Sequence, residues 1–138
     1  MHILLHQIRN LCKIKFLDLI EEASKEIKKK YKKIGILCTT KTKKDRLYDK
    51  HLDKIEIIYP SEKEQKEVSE IIIRIIRGKK NIKDKEYLIK LINNFINLGA
   101  EKVLLACTDL SNLIRNNKNT IDTTEILIKS IIRYMNSD

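Results

Sequence analysis

A chain of 138 residues has the length of one ordinary domain, long enough to bury a real core. No apolar run is long enough to span a bilayer and no signal-peptide layout opens the chain, so a soluble cytoplasmic protein without a membrane partner is expected. The formal net charge is +10, but only 5% of residues are aromatic and the lysines gather at helix ends and turns, so a base-stacking platform for nucleic acid is disfavoured and solvated surface charge is the simpler reading.

In chain order, Leu4, Ile8 and Leu11 share one helical face over residues 2–12. Ile14 to Leu17 is a short apolar run that predicts a strand, and Ile20, Ala23, Ile27 and Tyr31 mark a helix ending in lysines. Ile34-Gly35-Ile36-Leu37-Cys38 is the clearest strand of the chain. After it, Thr42 and Asp45 are placed to cap a helix carrying Leu47, Tyr48 and Leu52. Ile55 to Tyr59 predicts a strand closed by Pro60, and Ser61 with Glu64 reads as a capping box. The helix behind it keeps Val68, Ile71, Ile72, Ile75 and Ile76 in register up to Gly78. A charged loop leads to a helix with Leu88, Leu91, Ile92 and Phe95, stopped by Gly99. Val103-Leu104-Leu105-Ala106 is a buried strand, and the segment with Leu110, Leu113 and Ile114 follows as a helix. Ile121 marks one more short strand, and a last helix capped by Asp122 carries Leu127, Ile131, Tyr134 and Met135. Residues 33–122 thus predict an α/β parallel sheet flanked by helices on both faces. The last helix has no strand after it and needs another surface to pack on.

Two strands finish in a cysteine followed by hydroxyls, Cys38-Thr39-Thr40 and Cys107-Thr108. Open α/β sheets hold ligands at the carboxyl ends of their strands, and helix-start amides with threonine hydroxyls suit a carboxylate or phosphate. Cys107 precedes a helix start, which favours the thiolate, and Asp109 is placed to hold or accept a proton. The alternatives are a small buried hydrophobe for the cysteine and plain N-caps for the threonines. Cys12, Cys38 and Cys107 form neither a disulfide framework nor a zinc pattern, so reduced thiols and no metal are expected. A Cys–His pair would need His2, His6 or His51 brought from elsewhere.

One series of residues then carries a resemblance: Gly35 to Thr42, Tyr48, Pro60 and Gln65, Gly78, Leu98-Gly99-Ala100, Ala106-Cys107-Thr108-Asp109, and Asp122-Thr123-Thr124. In order and spacing it resembles the second half of the aspartate/glutamate racemase family, from about residue 14 to the end. The resemblance implies the second domain of a two-domain α/β fold. Residues 33–122 would be that domain, residues 1–32 a remnant of the first, and residues 123–138 a helix returning to it. It also implies cofactor-independent inversion at the α-carbon of an amino acid of the aspartate or glutamate class. In the family two cysteines face each other across the substrate, one from each domain. Cys107 matches the second of them, Thr108 the hydroxyl beside it, and Thr39 and Thr42 the threonines that help seat the carboxylate. Asp109 stands where glutamate is usual, Cys38 where glycine is usual, and Arg77 is the candidate for a basic residue before Gly78. The family's C-N-T-x-H motif is missing, and Met1-His2 looks like its tail. The expectation is a truncated or split member, inactive alone, that works as a homo-oligomer or with a separately encoded N-terminal half. The alternative is a non-catalytic remnant or subunit that binds a partner chain.

Overall fold

The computed structural model describes residues 16–79 and 81–136. The helix expected over 2–12 lies outside them, as do Ile14 and Lys15. Phe16 and Leu17 are not in a strand, which corrects that part of the 14–17 expectation. They lead into a helix cap: the Asp18 carboxylate accepts from the N–H of Ile20 at 2.7 Å and of Glu21 at 3.2 Å, satisfying donors that have no partner within the helix.

Helix α1 (Leu19–Lys28) buries Ile20, Ala23 and Ile27 on one face. Strand β1 (Lys33–Leu37) is followed by a short helix α2 (Thr40–Lys44). This differs from the helix expected over Leu47 to Leu52. Thr39 is the N-cap and Asp45 the C-cap, and Arg46, at φ 50°, turns the chain out of the helix. Tyr48 and Leu52 still reach the core, but from turns. Strand β2 (Glu56–Ile58) leads through Pro60 to α3 (Glu62–Ile76), opened by the expected Ser61–Glu64 capping box. Val68, Ile71, Ile72 and Ile75 are buried there, whereas Ile76 is exposed at the last turn. Helix α4 (Ile82–Asn97), capped by Asn81, buries Leu88, Leu91, Ile92 and Phe95. Arg74 ties α3 to α4 through Asp84, with Nη2 at 2.7 Å and Nε at 3.1 Å from its carboxylate. Strand β3 (Lys102–Leu105), helix α5 (Thr108–Leu113), strand β4 (Thr120–Asp122) and helix α6 (Thr123–Met135) complete the described chain.

The four strands form one parallel sheet in the order β2-β1-β3-β4. Side chains alternate across it. Ile34, Ile36, Cys38 and Leu104 pack with Ile20, Ala23 and Ile27 of α1, Ile126 of α6, Tyr48 and Leu52. Leu37, Val103 and Leu105 pack with the apolar faces of α3 and α4. Gly35 lies where α4 comes closest, and a Cβ there would overlap the Phe95 ring. The sheet is therefore covered on both faces, as all-parallel sheets are. The last helix finds its surface on α1, burying Thr123, Ile126 and Ser130. Ile128, Ile131, Ile132 and Met135 remain exposed along its outer side.

Candidate active site

Strands β1 and β3 run side by side with Leu37 opposite Leu105, and the Ala106 N–H donates to the Leu37 carbonyl at 2.8 Å. Continuing that register by two residues sets Thr39 beside Cys107 at the carboxyl edge of the sheet. Central parallel strands open their ligand crevice at this edge.

Cys107 is the N-cap residue of α5, in extended backbone, and its side chain makes no capping hydrogen bond. The half-buried thiol instead faces the Asp109 carboxylate, Sγ to Oδ2 3.9 Å. Burial pushes the Cys107 pKa up from its ordinary value. The backbone N–H groups of Asp109 and Leu110 pull it down, and the Asp109 charge pushes it up again. The expected pull towards thiolate is thus outweighed. Helix α5 has only six residues, so its dipole is weak, and a carboxylate sits beside the sulfur. Cys107 rests as a thiol that has an acceptor for its proton.

The turn after β1 brings Thr39 and Thr42 together. Thr39 Oγ1 accepts from the Thr42 N–H at 3.2 Å and lies 3.0 Å from Thr42 Oγ1. Thr39 is the N-cap of a helix that starts at the carboxyl edge of the sheet. Thr40 Oγ1 and Ser69 Oγ are 2.8 Å apart, and Gln65 donates from Nε2 to the Cys38 carbonyl at 2.9 Å. Gln65 thus clamps the end of β1. The sequence signals at Gln65 were its place in the resemblance series and a polar side chain on an otherwise apolar helix face. Thr123 does the same for β3, donating from Oγ1 to the Leu105 carbonyl at 3.1 Å.

Cys38 does not share the crevice. Strand alternation points it, like Ile34 and Ile36, into the core under α1, where it is fully buried and desolvation raises its pKa to about 12. Thr108 is exposed at the first position of α5 and Asp109 half-buried at the second. Arg77 is not brought to this edge. It is the exposed C-cap of α3, a helix that starts just after β2 and carries the chain away from the crevice for about 20 Å. His51 lies in the turns before β2, and His2 and His6 fall outside the described residues. Among the described residues no cluster of histidine, cysteine and carboxylate side chains could hold a metal ion, and no helix is long and apolar enough to cross a membrane.

Comparisons with known proteins place the chain in a family. Residues 1–131 match the model of the Asp/Glu/Hydantoin racemase family. An uncharacterized protein in the pnlA 3' region of Pectobacterium carotovorum subsp. carotovorum is 27% identical over 138 residues, covering 94% of this chain and 91% of that one. The crystal structure of an aspartate racemase homologue from Pyrococcus horikoshii OT3 matches with a TM-score of 0.81 at 26% identity, over 96% of this chain and 62% of its own. Picrophilus torridus aspartate racemase matches with a TM-score of 0.70 at 27% identity, over 86% of this chain and 53% of its own. The chain therefore spans little more than half the length of these solved relatives. With its sheet, its strand-end cysteine and its threonine turn in the order described, the chain belongs to the Asp/Glu/hydantoin racemase family of isomerases.

Proposed function

We propose that this chain is the thiol-bearing half of a cofactor-independent amino-acid racemase, in which Cys107 exchanges a proton with the α-carbon of an aspartate- or glutamate-class substrate. The observation that carries this reading is the half-open Cys107 thiol at the carboxyl edge of β3, hydrogen-bonded to Asp109 and beside the Thr39–Thr42 pair. The solved relatives named as an aspartate racemase and its homologue supply the reaction class.

Inversion at an α-carbon needs a base on one face and an acid on the other. Acting as acid, the Cys107 thiol gives its proton to the carbanion and becomes a thiolate, held by the Asp109 and Leu110 N–H groups. In the reverse direction the thiolate takes the α-proton and the thiol is restored. Asp109 accepts from the S–H and sets its direction, while the hydroxyls of Thr39, Thr42 and Thr108 donate to the substrate carboxylate. Arg77 has no part in this set. One thiol serves one face only. The opposing group therefore lies outside the described residues. In this division residues 33–122 are the second domain, with residues 1–32 and 123–138 as the pieces flanking it.

The test is to incubate the purified chain with each enantiomer of aspartate and glutamate in deuterated water. Slow α-proton exchange without inversion is expected, lost in Cys107→Ala and kept in Cys38→Ser. Removing one member of a catalytic pair costs several powers of ten in rate, so inversion should be undetectable. Inversion that vanishes in Cys107→Ala would show that the chain, singly or as a pair of copies, supplies both groups. Exchange that persists in Cys107→Ala would remove the thiol from the reaction. A second reading, a non-catalytic subunit that binds a partner chain, is favoured by the exposed apolar row on α6. Absence of any exchange would leave that reading standing.

A further inference from the structure

Next to the thiol's helix, between α5, the 114–119 loop and the start of α6, lies a depression of about 710 Å³ with Thr108 on its rim. Two residues of its lining, Ser111 and Thr124, carry buried hydroxyls that have no hydrogen-bond partner among the described residues, and Ser111 is only 6% exposed. Leaving such a group unpaired is costly, and native folds carry few of them. The lining is also bipolar. Arg115 and Lys118 line it from the loop, and Glu125 lines it from the first turn of α6. One Arg115 N–H goes to Asn112 Oδ1 at 2.9 Å, which leaves the guanidinium further donors. Asp122 also lines it and accepts the Thr124 N–H at 2.7 Å through one oxygen, so Glu125 is the carboxylate of the lining that is not a helix cap.

We infer that this depression binds a free α-amino acid as a zwitterion, its carboxylate towards Arg115 and Lys118 and its ammonium towards Glu125. A χ1 rotation turns the Ser111 and Thr124 hydroxyls from unpaired to donating. Water alone would satisfy the two hydroxyls. The opposed charges select further: Glu125 repels a simple anion, Arg115 and Lys118 repel a simple amine, and a ligand carrying both signs suits both sides. The volume lies within the range of small-molecule sites. Only Thr108 is shared with the substrate position proposed at Thr39 and Cys107, and the site is tested by binding, whatever Cys107 does in catalysis.

The experiment is a titration of the isotope-labelled full chain with L-aspartate, L-glutamate and glycine, followed by backbone amide shifts, with succinate and ethanolamine as single-sign controls. Amino acids should shift Ser111, Arg115 to Lys118, and Thr124 and Glu125, and each control should bind at least about tenfold more weakly. The double variant Ser111→Ala/Thr124→Val should lose about tenfold in affinity, from two hydrogen bonds, with its circular dichroism unchanged. Arg115→Ala should weaken every ligand that carries a carboxylate. Shifts confined to Thr39–Thr42 and Cys107–Asp109 would overturn the inference while leaving the racemase reading intact. Succinate binding as tightly as aspartate, an affinity unmoved by the double variant, or no amide shift at millimolar ligand would each overturn it as well. The racemase reading is judged separately, by the exchange at Cys107.

Discussion

Cys38 and Cys107 end neighbouring strands with the same residue types after them, yet their surroundings divide them. Cys38 falls on the alternating side of β1 that faces α1, and desolvation holds its thiol neutral up to about 12. Cys107 comes two residues beyond the end of β3 and is half-open at the crevice. The unfolded Cys38 thiol has an ordinary value near 9.0. Between that value and about 12 the folded chain binds more protons at this group than the unfolded chain, so stability falls as pH rises. Cys38 should contribute a loss approaching 1.4 kcal/mol per pH unit in that window, and none below it. Urea unfolding at stepped alkaline pH should show a shallower slope in Cys38→Ala than in the parent chain. An unchanged slope would mean that Cys38 is not desolvated in the fold. In a Cys12→Ser background a thiol reagent should modify Cys107 and spare Cys38 until the chain unfolds, with a Cys107 rate that climbs above neutral pH because its pKa is raised.

At the scale of elements, the closest packing is β1 against α4 at Gly35. Any side chain there meets the Phe95 ring and the Val103 side chain, so Gly35→Ala should destabilise the chain by about 1–3 kcal/mol through overpacking. Phe95→Leu in the same chain should recover part of that loss. Urea midpoints with unchanged m-values are the measurement, and a Gly35→Ala chain as stable as the parent would refute the close approach. Helices α3 and α4 were legible because their long apolar periods, and in α3 the capping box, are local patterns. Helix α2 was not. Leu47, Tyr48 and Leu52 keep a helical spacing, but the left-handed Arg46 ends the helix before them, and they are buried by contact with α1 and β1 rather than by helix formation.

At the scale of the molecule, α6 turns one face to α1 and leaves Ile128, Ile131, Ile132 and Met135 exposed by 51%, 40%, 52% and 71%. The spacing i, i+3, i+4, i+7 makes this one apolar stripe of roughly a few hundred Å², the scale at which exposed patches mark interaction sites. The chain made alone should therefore associate reversibly, and Ile132→Lys should shift it towards monomer in sedimentation velocity without changing its circular dichroism. A concentration-independent monomer that binds no hydrophobic dye would refute this. Such association would fit a half-site that meets its opposing group on another chain.

The sequence by itself determined the order of strands and helices from residue 33 to 122, the Ser61 and Asp122 caps, and the pairing of a strand-end cysteine with a threonine turn. Those features are written in short-range periodicity, in capping chemistry and in motif spacing, none of which needs a third dimension. Only the tertiary structure decided which cysteine is open, because that depends on the face each strand presents and on what packs over it. It also decided that Arg77 ends at the far end of α3. It decided that the last helix lies on α1, and that Gln65 and Thr123 anchor the two strand ends beneath the crevice. Each of these is set by where a helix points after it leaves the sheet, and that direction is fixed by long-range packing rather than by neighbouring residues.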